Sequence, residues 1–399
     1  MSAIGVAVED LKLLTRSISE DLGQSRSDWV FYCYLNQGQN NSEHLKTVFE
    51  LLFIMAVGKK KSLDSRVLFS STKLGILTKC PRNYKYMYID HIKVPTFFVL
   101  AFGIAMHRML ELFYTTNFKS EDSFAGFFAR YWNDIKYDKN KRIGFVKVPN
   151  EDSRPYIFGH YKRLGEAILR NFYKRDIPRR DKFFAEKNEA LRNARLLSAK
   201  AKKKKEFLSG LGLFPRVETK FQLEFDGHRI RGNIDRIDRF KDGIVFFDYK
   251  TDKHKSTSND LMVLKNPNHQ FTIYDLALKN LFPEYDLVGR YLLHLRSLAK
   301  DAAANPLIPV FKNAVDFNSL SISLKNAQDI VDRKAFDRNV GYHCRFCSYY
   351  EPCSRDVMEE YVSFPDPVFG SLVETEEELN NLEESIESYW GTDLVESDS

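Results

Sequence analysis

An α/β fold is what this sequence predicts, on three observations. Apolar residues recur at three- and four-residue steps through 101–114 and through much of 120–210, which is helical spacing. Residues 217–250 then alternate: Val217, Thr219, Phe221, Leu223 and Phe225 interleave with Glu218, Lys220, Gln222 and Glu224. The hairpin dipeptides Asp226-Gly227 and Asp242-Gly243 divide that stretch into a three-stranded antiparallel meander. Helical spacing resumes over 270–281, where Gln270, Tyr274 and Leu278 share one side. With 399 residues, 43% of them apolar, the chain has room for one large domain or two ordinary ones, and wholesale disorder is excluded.

In chain order, residues 1–65 form an N-terminal region of unknown role, with a polar break at 38–42 and a basic stop at Lys59, Lys60 and Lys61. Its apolar run, 48–58, contains Glu50 and is too short to span a bilayer. No charged-then-apolar leader opens the chain, and five cysteines in this length make no disulfide scaffold. A reducing cytoplasm is therefore expected, with thiols free to bind metal and no membrane partner. Ser70-Ser71-Thr72 offers an N-cap for a helix running to Cys80-Pro81. On the helix at 101–114, Gly103, His107, Leu110, Glu111 and Tyr114 lie on one face. Residues 115–215 read as a helical basic insertion, with an aromatic group (Phe124, Phe127, Phe128, Tyr131, Trp132) and a basic stretch from Arg179 to the lysine run 202–205. One domain is expected over 66–360 and a flexible acidic tail over 361–399.

The charge is polarised. Residues 374–399 hold ten acids and no Lys or Arg, so the chain's +6 corresponds to +16 over residues 1–373. A body this basic suits a polyanion, of which nucleic acid is the commonest. A solvated helix face with a soluble acidic tail explains the charge equally well.

The meander carries the chemistry. If Asp242-Gly243 makes a two-residue turn, residue 241 pairs with 244, Asp235 faces Lys250, and Asp248 faces Ile237. All four then project from one face, with the carboxylates diagonal neighbours about 7–8 Å apart at Cβ. A register shifted by two residues sets Asp235 opposite Asp248 on the same face; a shift of one separates them. Two carboxylates beside an ammonium suit a hard divalent cation such as magnesium or manganese. Such a cation polarises a phosphodiester and acidifies a water, while Lys250 orients that water or meets charge on phosphorus. Asp-x-Lys alone is common and is usually a surface ion pair. Phe246 and Phe247, however, place Asp248 at the edge of a core, where carboxylates are seldom kept without a task.

The string Gly232-Asn233-Ile234-Asp235-Arg236, followed by Asp248-Tyr249-Lys250-Thr251, resembles the RecB-type branch of the PD-(D/E)XK nuclease superfamily. Phe102-Gly103 with His107 is similar to that family's FG-x3-H helix, Gln270 and Tyr274 to its Q-x3-Y motif, and Cys80-Pro81 to its early Cys-Pro. The resemblance implies a restriction-endonuclease-like core: a mixed central sheet flanked by helices. It implies that His107, Asp235, Asp248 and the Tyr249 carbonyl bind the catalytic metal and that Lys250 assists the attacking water. It further implies that Gln270 and Tyr274 border the site and position the DNA strand, with Glu218 supporting the ligands from behind. Asp248 stands where many members carry Glu, and 115–215 is longer than the equivalent in compact members.

Cys344, Cys347 and Cys353 form C-x2-C-x5-C, and with the distant Cys80 they make a four-thiolate set that by spacing takes zinc or an iron–sulfur cluster. Cys33 is left over. The resemblance decides for 4Fe-4S, because the family's iron–sulfur branch joins a lone Cys before Pro to a late Cys triplet. That branch includes the AddB nuclease domain and the CRISPR-associated adaptation exonucleases. The lobe so formed staples the early helix to the C-terminal region, with zinc as the alternative.

The function implied is a metal-dependent DNA nuclease, foremost an exonuclease on single-stranded DNA or DNA ends. A non-hydrolytic DNA-binding subunit of a DNA-processing complex is the alternative, and a zinc-stabilised scaffold with a recruiting tail comes third. No GxxxxGK[ST] phosphate loop occurs, so duplex opening would fall to a separate helicase. A viral source is as compatible as a cellular one, and no pattern speaks to oligomeric state.

Overall fold

The computed structural model describes residues 66–135, 146–197, 213–241, 243–253, 269–311, 316–355 and 372–392. The N-terminal region 1–65 and the lysine run 202–205 lie outside the described residues. Strand β1 (Leu68–Phe69) leads into α1 (Ser71–Lys79), whose N-cap Ser70 accepts the Lys73 amide at 3.2 Å as its sequence predicts. Helix α2 (Pro81–Tyr84) starts directly after Cys80 with proline at its first position, where the missing N–H costs nothing. There follow β2 (Thr96–Phe97), α3 (Phe98–Thr115), α4 (Glu121–Asp134), β3 (Val146–Lys147) and the 44-residue α5 (Arg154–Leu197). The meander is β4 (Arg216–Phe225), β5 (His228–Phe240) and β6 (Gly243–Lys250). After it come α6 (Gln270–Leu281), β7 (Asp286–His294), β8 (Leu307–Pro309), α7 (Phe317–Asp332), α8 (Tyr350–Arg355) and α9 (Glu376–Thr392).

The sheet is mixed and runs β1-β5-β6-β7-β8, with β4 also paired to β5. Strands β4, β5 and β6 are antiparallel, whereas β6 and β7 are parallel across the crossover helix α6. The first hairpin closes as its dipeptide predicts, Phe225 opposite His228. The second does not. Phe240 pairs with Gly243 and Arg239 with Ile244, two residues away from the register expected of an Asp242-Gly243 turn. Gly243 is needed elsewhere: a Cβ there would stand 2.5 Å from Val288 Cγ1 and 2.6 Å from the Asp286 carbonyl. Close approach of β7 thus draws Gly243 into the strand, and Lys241 takes the left-handed turn position at φ 52°.

Two apolar clusters cover the sheet. One joins α3, α4, α5 and α9 to Val245, Phe247 and Tyr249 of β6; the other joins α1, α6 and α7 to Ile234, Ile237 and Phe246. Of the aromatic group, Phe124, Phe128 and Trp132 are buried in the first cluster as core residues. Helix α3 is the one helix among the described residues long and apolar enough to cross a membrane, but Phe98, Phe102, Met106, Met109 and Phe113 are fully buried in this core. The expectation of a flexible tail over 361–399 fails at α9. Leu379, Leu382 and Ile386 recur at helical steps and are buried in the same cluster, so the acidic helix is amphipathic and docked.

Candidate metal centre

Three adjacent strands put three carboxylates in a row. Val217 pairs with Arg236 and Thr219 with Ile234, so Glu218 stands opposite Asp235. Arg236 pairs with Phe247, and one step further along this register sets Asp235 opposite Asp248. Directly opposed residues have Cβ atoms about 4.5–5.5 Å apart, closer than the diagonal spacing expected from the sequence. Asp235 therefore faces Asp248, not Lys250. Glu218 is in a left-handed conformation, φ 46°, which takes it out of the ladder. Its carboxylate, an oxygen of Asp235 and a nitrogen of His107 all lie within 4.8 Å of one another. The glutamate expected only to support the site is thus within reach of the same ion.

His107 arrives from α3 because that helix lies close against the end of β6. A Cβ at Gly103 would meet Thr251 Oγ1 at 3.2 Å, so the glycine of the FG-x3-H pattern permits this approach. One turn on, His107 Nδ1 stands 3.4 Å from Asp235 Oδ1, and its Nε2–H donates to the Tyr249 carbonyl at 3.1 Å. Burial opposes charge on this ring, but Asp235, reinforced by Asp248 and Glu218, outweighs it and raises His107 to about 9. His107 Nε2–H thus meets the same carbonyl that the resemblance assigns to the metal. The Tyr249 amide in turn donates to Asp235 Oδ2 at 2.7 Å.

Asp248 is 2% exposed, and burial pushes its carboxyl upward. Gln270 Nε2 donates to Asp248 Oδ1 at 2.8 Å and to Tyr274 Oη at 2.9 Å, so the Q-x3-Y pair orients this carboxylate. Lys250 Nζ is 2.8 Å from Asp248 Oδ2, a buried ion pair that occupies the second oxygen of this carboxylate. Burial disfavours the Lys250 charge, but Asp248, Asp252 and Asp235 hold it firmly ammonium, so at neutral pH it is a donor and not a base.

The model of the PD-(D/E)XK nuclease superfamily matches residues 68–354, most of the chain and every strand of this sheet. The chain belongs to the PD-(D/E)XK nuclease superfamily. No curated protein matches it closely enough to count as a relative. Members of the superfamily are metal-dependent phosphodiester nucleases, and the His107–Glu218–Asp235 group can hold a divalent metal.

In this PD-(D/E)XK chain the strand that carries Asp235, β5, is braced by residues that sequence reasoning missed. Arg236, 1% exposed, binds Asp176 of α5 at 2.8 Å and Asp238 in a fork at 2.8 and 2.6 Å. It also lies over the Phe247 and Tyr114 rings, at 4.6 and 5.5 Å from their centroids. Arg-x-Asp at 236–238 was a visible cue, since the two side chains share a face of β5; Asp176 carried none. A second buried pair, Arg296 with Glu383 of α9, joins residues 87 apart.

Cys80, Cys344, Cys347 and Cys353 line one cavity with Arg82, Asn83, Arg338 and His343. They do not form a single-ion group of the kind His107, Glu218 and Asp235 make, whose ligand atoms lie within 4.8 Å of one another. Asn83 Nδ2 is 3.8 Å from Cys347 Sγ, and burial pushes the Cys347 thiol up to about 12 and those of Cys344 and Cys353 upward. Cys33 lies outside the described residues.

Proposed function

We propose that this chain is a metal-dependent deoxyribonuclease, working as an exonuclease on single-stranded DNA or DNA ends. The observation that supports this most is the row Glu218, Asp235 and Asp248 between His107 and Lys250. Its donors are carboxylate oxygens with one imidazole, which suits magnesium or manganese. His107, Glu218, Asp235 and Asp248 would hold the ion. When bound, it supplies charge that polarises the phosphodiester and lowers the pKa of a water. Lys250, kept ammonium, faces the charge that builds on phosphorus. Gln270 and Tyr274 keep Asp248 oriented and border the path of the strand. Phosphate affinity comes from the +16 carried by residues 1–373, and with no phosphate loop a separate helicase opens the duplex.

Within this reading the four-cysteine cavity seats a 4Fe-4S cluster in a lobe that ties α1 and α2 to the C-terminal region, zinc being the alternative. Cys80, Cys344, Cys347 and Cys353 would hold either group through their thiolates. A reducing cytoplasm and the boundary near residue 65 go with it. End-labelled single-stranded DNA with magnesium or manganese tests the function. Metal-dependent release of nucleotides, blocked by Asp235→Asn, is expected. Intact DNA under both metals would refute it.

A further inference from the structure

The superfamily match ends at residue 354, yet helix α9 beyond it reaches the residues that follow β6. Glu383 is 2% exposed and accepts both Arg296 Nη atoms, at 3.0 and 2.8 Å, as well as the Tyr161 hydroxyl. Arg296 Nε donates at 2.8 Å to the carbonyl of Thr251, the residue after Lys250. The next carbonyl, Asp252, faces His294 Nε2 at 2.7 Å, and Lys253 Nζ pairs with Glu384 of α9 at 2.8 Å. Thr251 also rests its Oγ1 against Gly103, one turn before His107 on α3. Three consecutive residues are therefore fastened immediately downstream of the lysine, Thr251 and Lys253 through α9 and Asp252 through β7.

We propose that α9, an element outside the family domain, belongs to the frame of the active site. Glu383 is a positioning residue. Through Arg296 it fixes the Thr251 carbonyl, and so the reach of Lys250 and the seat of α3 that presents His107. The planar guanidinium is what makes the relay work. Two of its N–H groups satisfy the carboxylate while Nε, pointing away from them, holds the backbone. An ammonium at the same place keeps the charge but cannot span both partners. This inference rests on the nuclease reading.

The test uses the full chain with three variants: Arg296→Lys, Glu383→Gln and, as a control exposed on the same helix, Glu377→Gln. Single-turnover cleavage of labelled DNA at saturating magnesium gives the rate constant and the half-saturating DNA concentration. Amide hydrogen exchange over 251–253 and protease protection of 372–392 report anchoring and docking. For Arg296→Lys we expect α9 to stay protected, DNA affinity to be unchanged, exchange at 251–253 to speed up, and the rate constant to fall about 100-fold, the scale of a misplacement near 1 Å. Glu383→Gln should behave alike in its folded fraction, and Glu377→Gln should match the wild type. Wild-type rate and exchange in Arg296→Lys would overturn the positioning role while sparing the nuclease reading. A wild type that cleaves no DNA would overturn both, whatever the exchange shows.

Discussion

Arg236→Met tests whether the buried charge cluster beside the candidate metal centre braces the fold. Methionine keeps the apolar stem over Phe247 but strands two carboxylates, Asp176 and Asp238, each bound to the guanidinium at 2.8 Å or less. Breaking a buried ion pair by removing one partner costs about 3–5 kcal/mol, because the remaining charge is left uncompensated. Arg179 limits the damage: it is paired with Asp176 and stands 3.2 Å from Asp238. The low end of that range, about 3 kcal/mol, is therefore expected, a large share of the roughly 5–15 kcal/mol that holds a domain together. Urea unfolding at pH 7 measures it. Adding Asp176→Asn to Arg236→Met removes one stranded charge and should recover about 1 kcal/mol or more. A single variant within about 0.5 kcal/mol of wild type, or a double variant no more stable than the single, would refute the bracing role.

Three further outcomes are expected. Asp235→Asn, Asp248→Asn and Lys250→Met should each slow cleavage by at least about 100-fold while retaining most DNA binding, since none removes the basic surface; wild-type cleavage by any of them would unseat the assignment. Burial alone would raise the Glu383 carboxyl, but Arg296 holds it below its usual 4.5. Its folded-state pKa is thus depressed, and its contribution is complete above that usual value and lost as pH falls through the lower one. Protease cutting of 372–392 should rise over that window, and cutting that stays flat from pH 6 to about pH 3 would contradict the pair's role. Protein purified without oxygen should be brown, with close to four irons per chain, and Cys80→Ala should bleach it as fully as Cys347→Ala; colourless protein with one zinc would replace the cluster and leave the nuclease proposal standing.

Much of the site was legible because its chemistry is local. Asp248 and Lys250 are two apart on one strand, Gln270 and Tyr274 one turn apart on α6, and the period of each element alone puts each pair on one side. The carboxylate pairing survived an error in the turn for a related reason. The register proved to be two residues off, and a shift by two preserves which face a side chain takes. The turn departs from its dipeptide because Asp-Gly is only a local signal, whereas the demand on Gly243 comes from Val288 and the Asp286 carbonyl on another strand. Glu218 was undervalued for the same kind of reason: its left-handed backbone and its place opposite Asp235 depend on β5, not on its neighbours in β4.

The sequence by itself determined the α/β class, the meander, the motif-bearing helices and which residues make up the candidate site, since periodicity, caps and short motifs act over a few residues. Only the tertiary structure decided that Glu218 joins His107 and Asp235, that Arg236 is bound by Asp176 from α5, and that an acidic helix thought free docks through Glu383 on Arg296. Composition marks such acids as solvated. Burial reverses that reading when a partner 60 or 87 residues away supplies the opposite charge, and only the folded chain brings such partners within 3 Å.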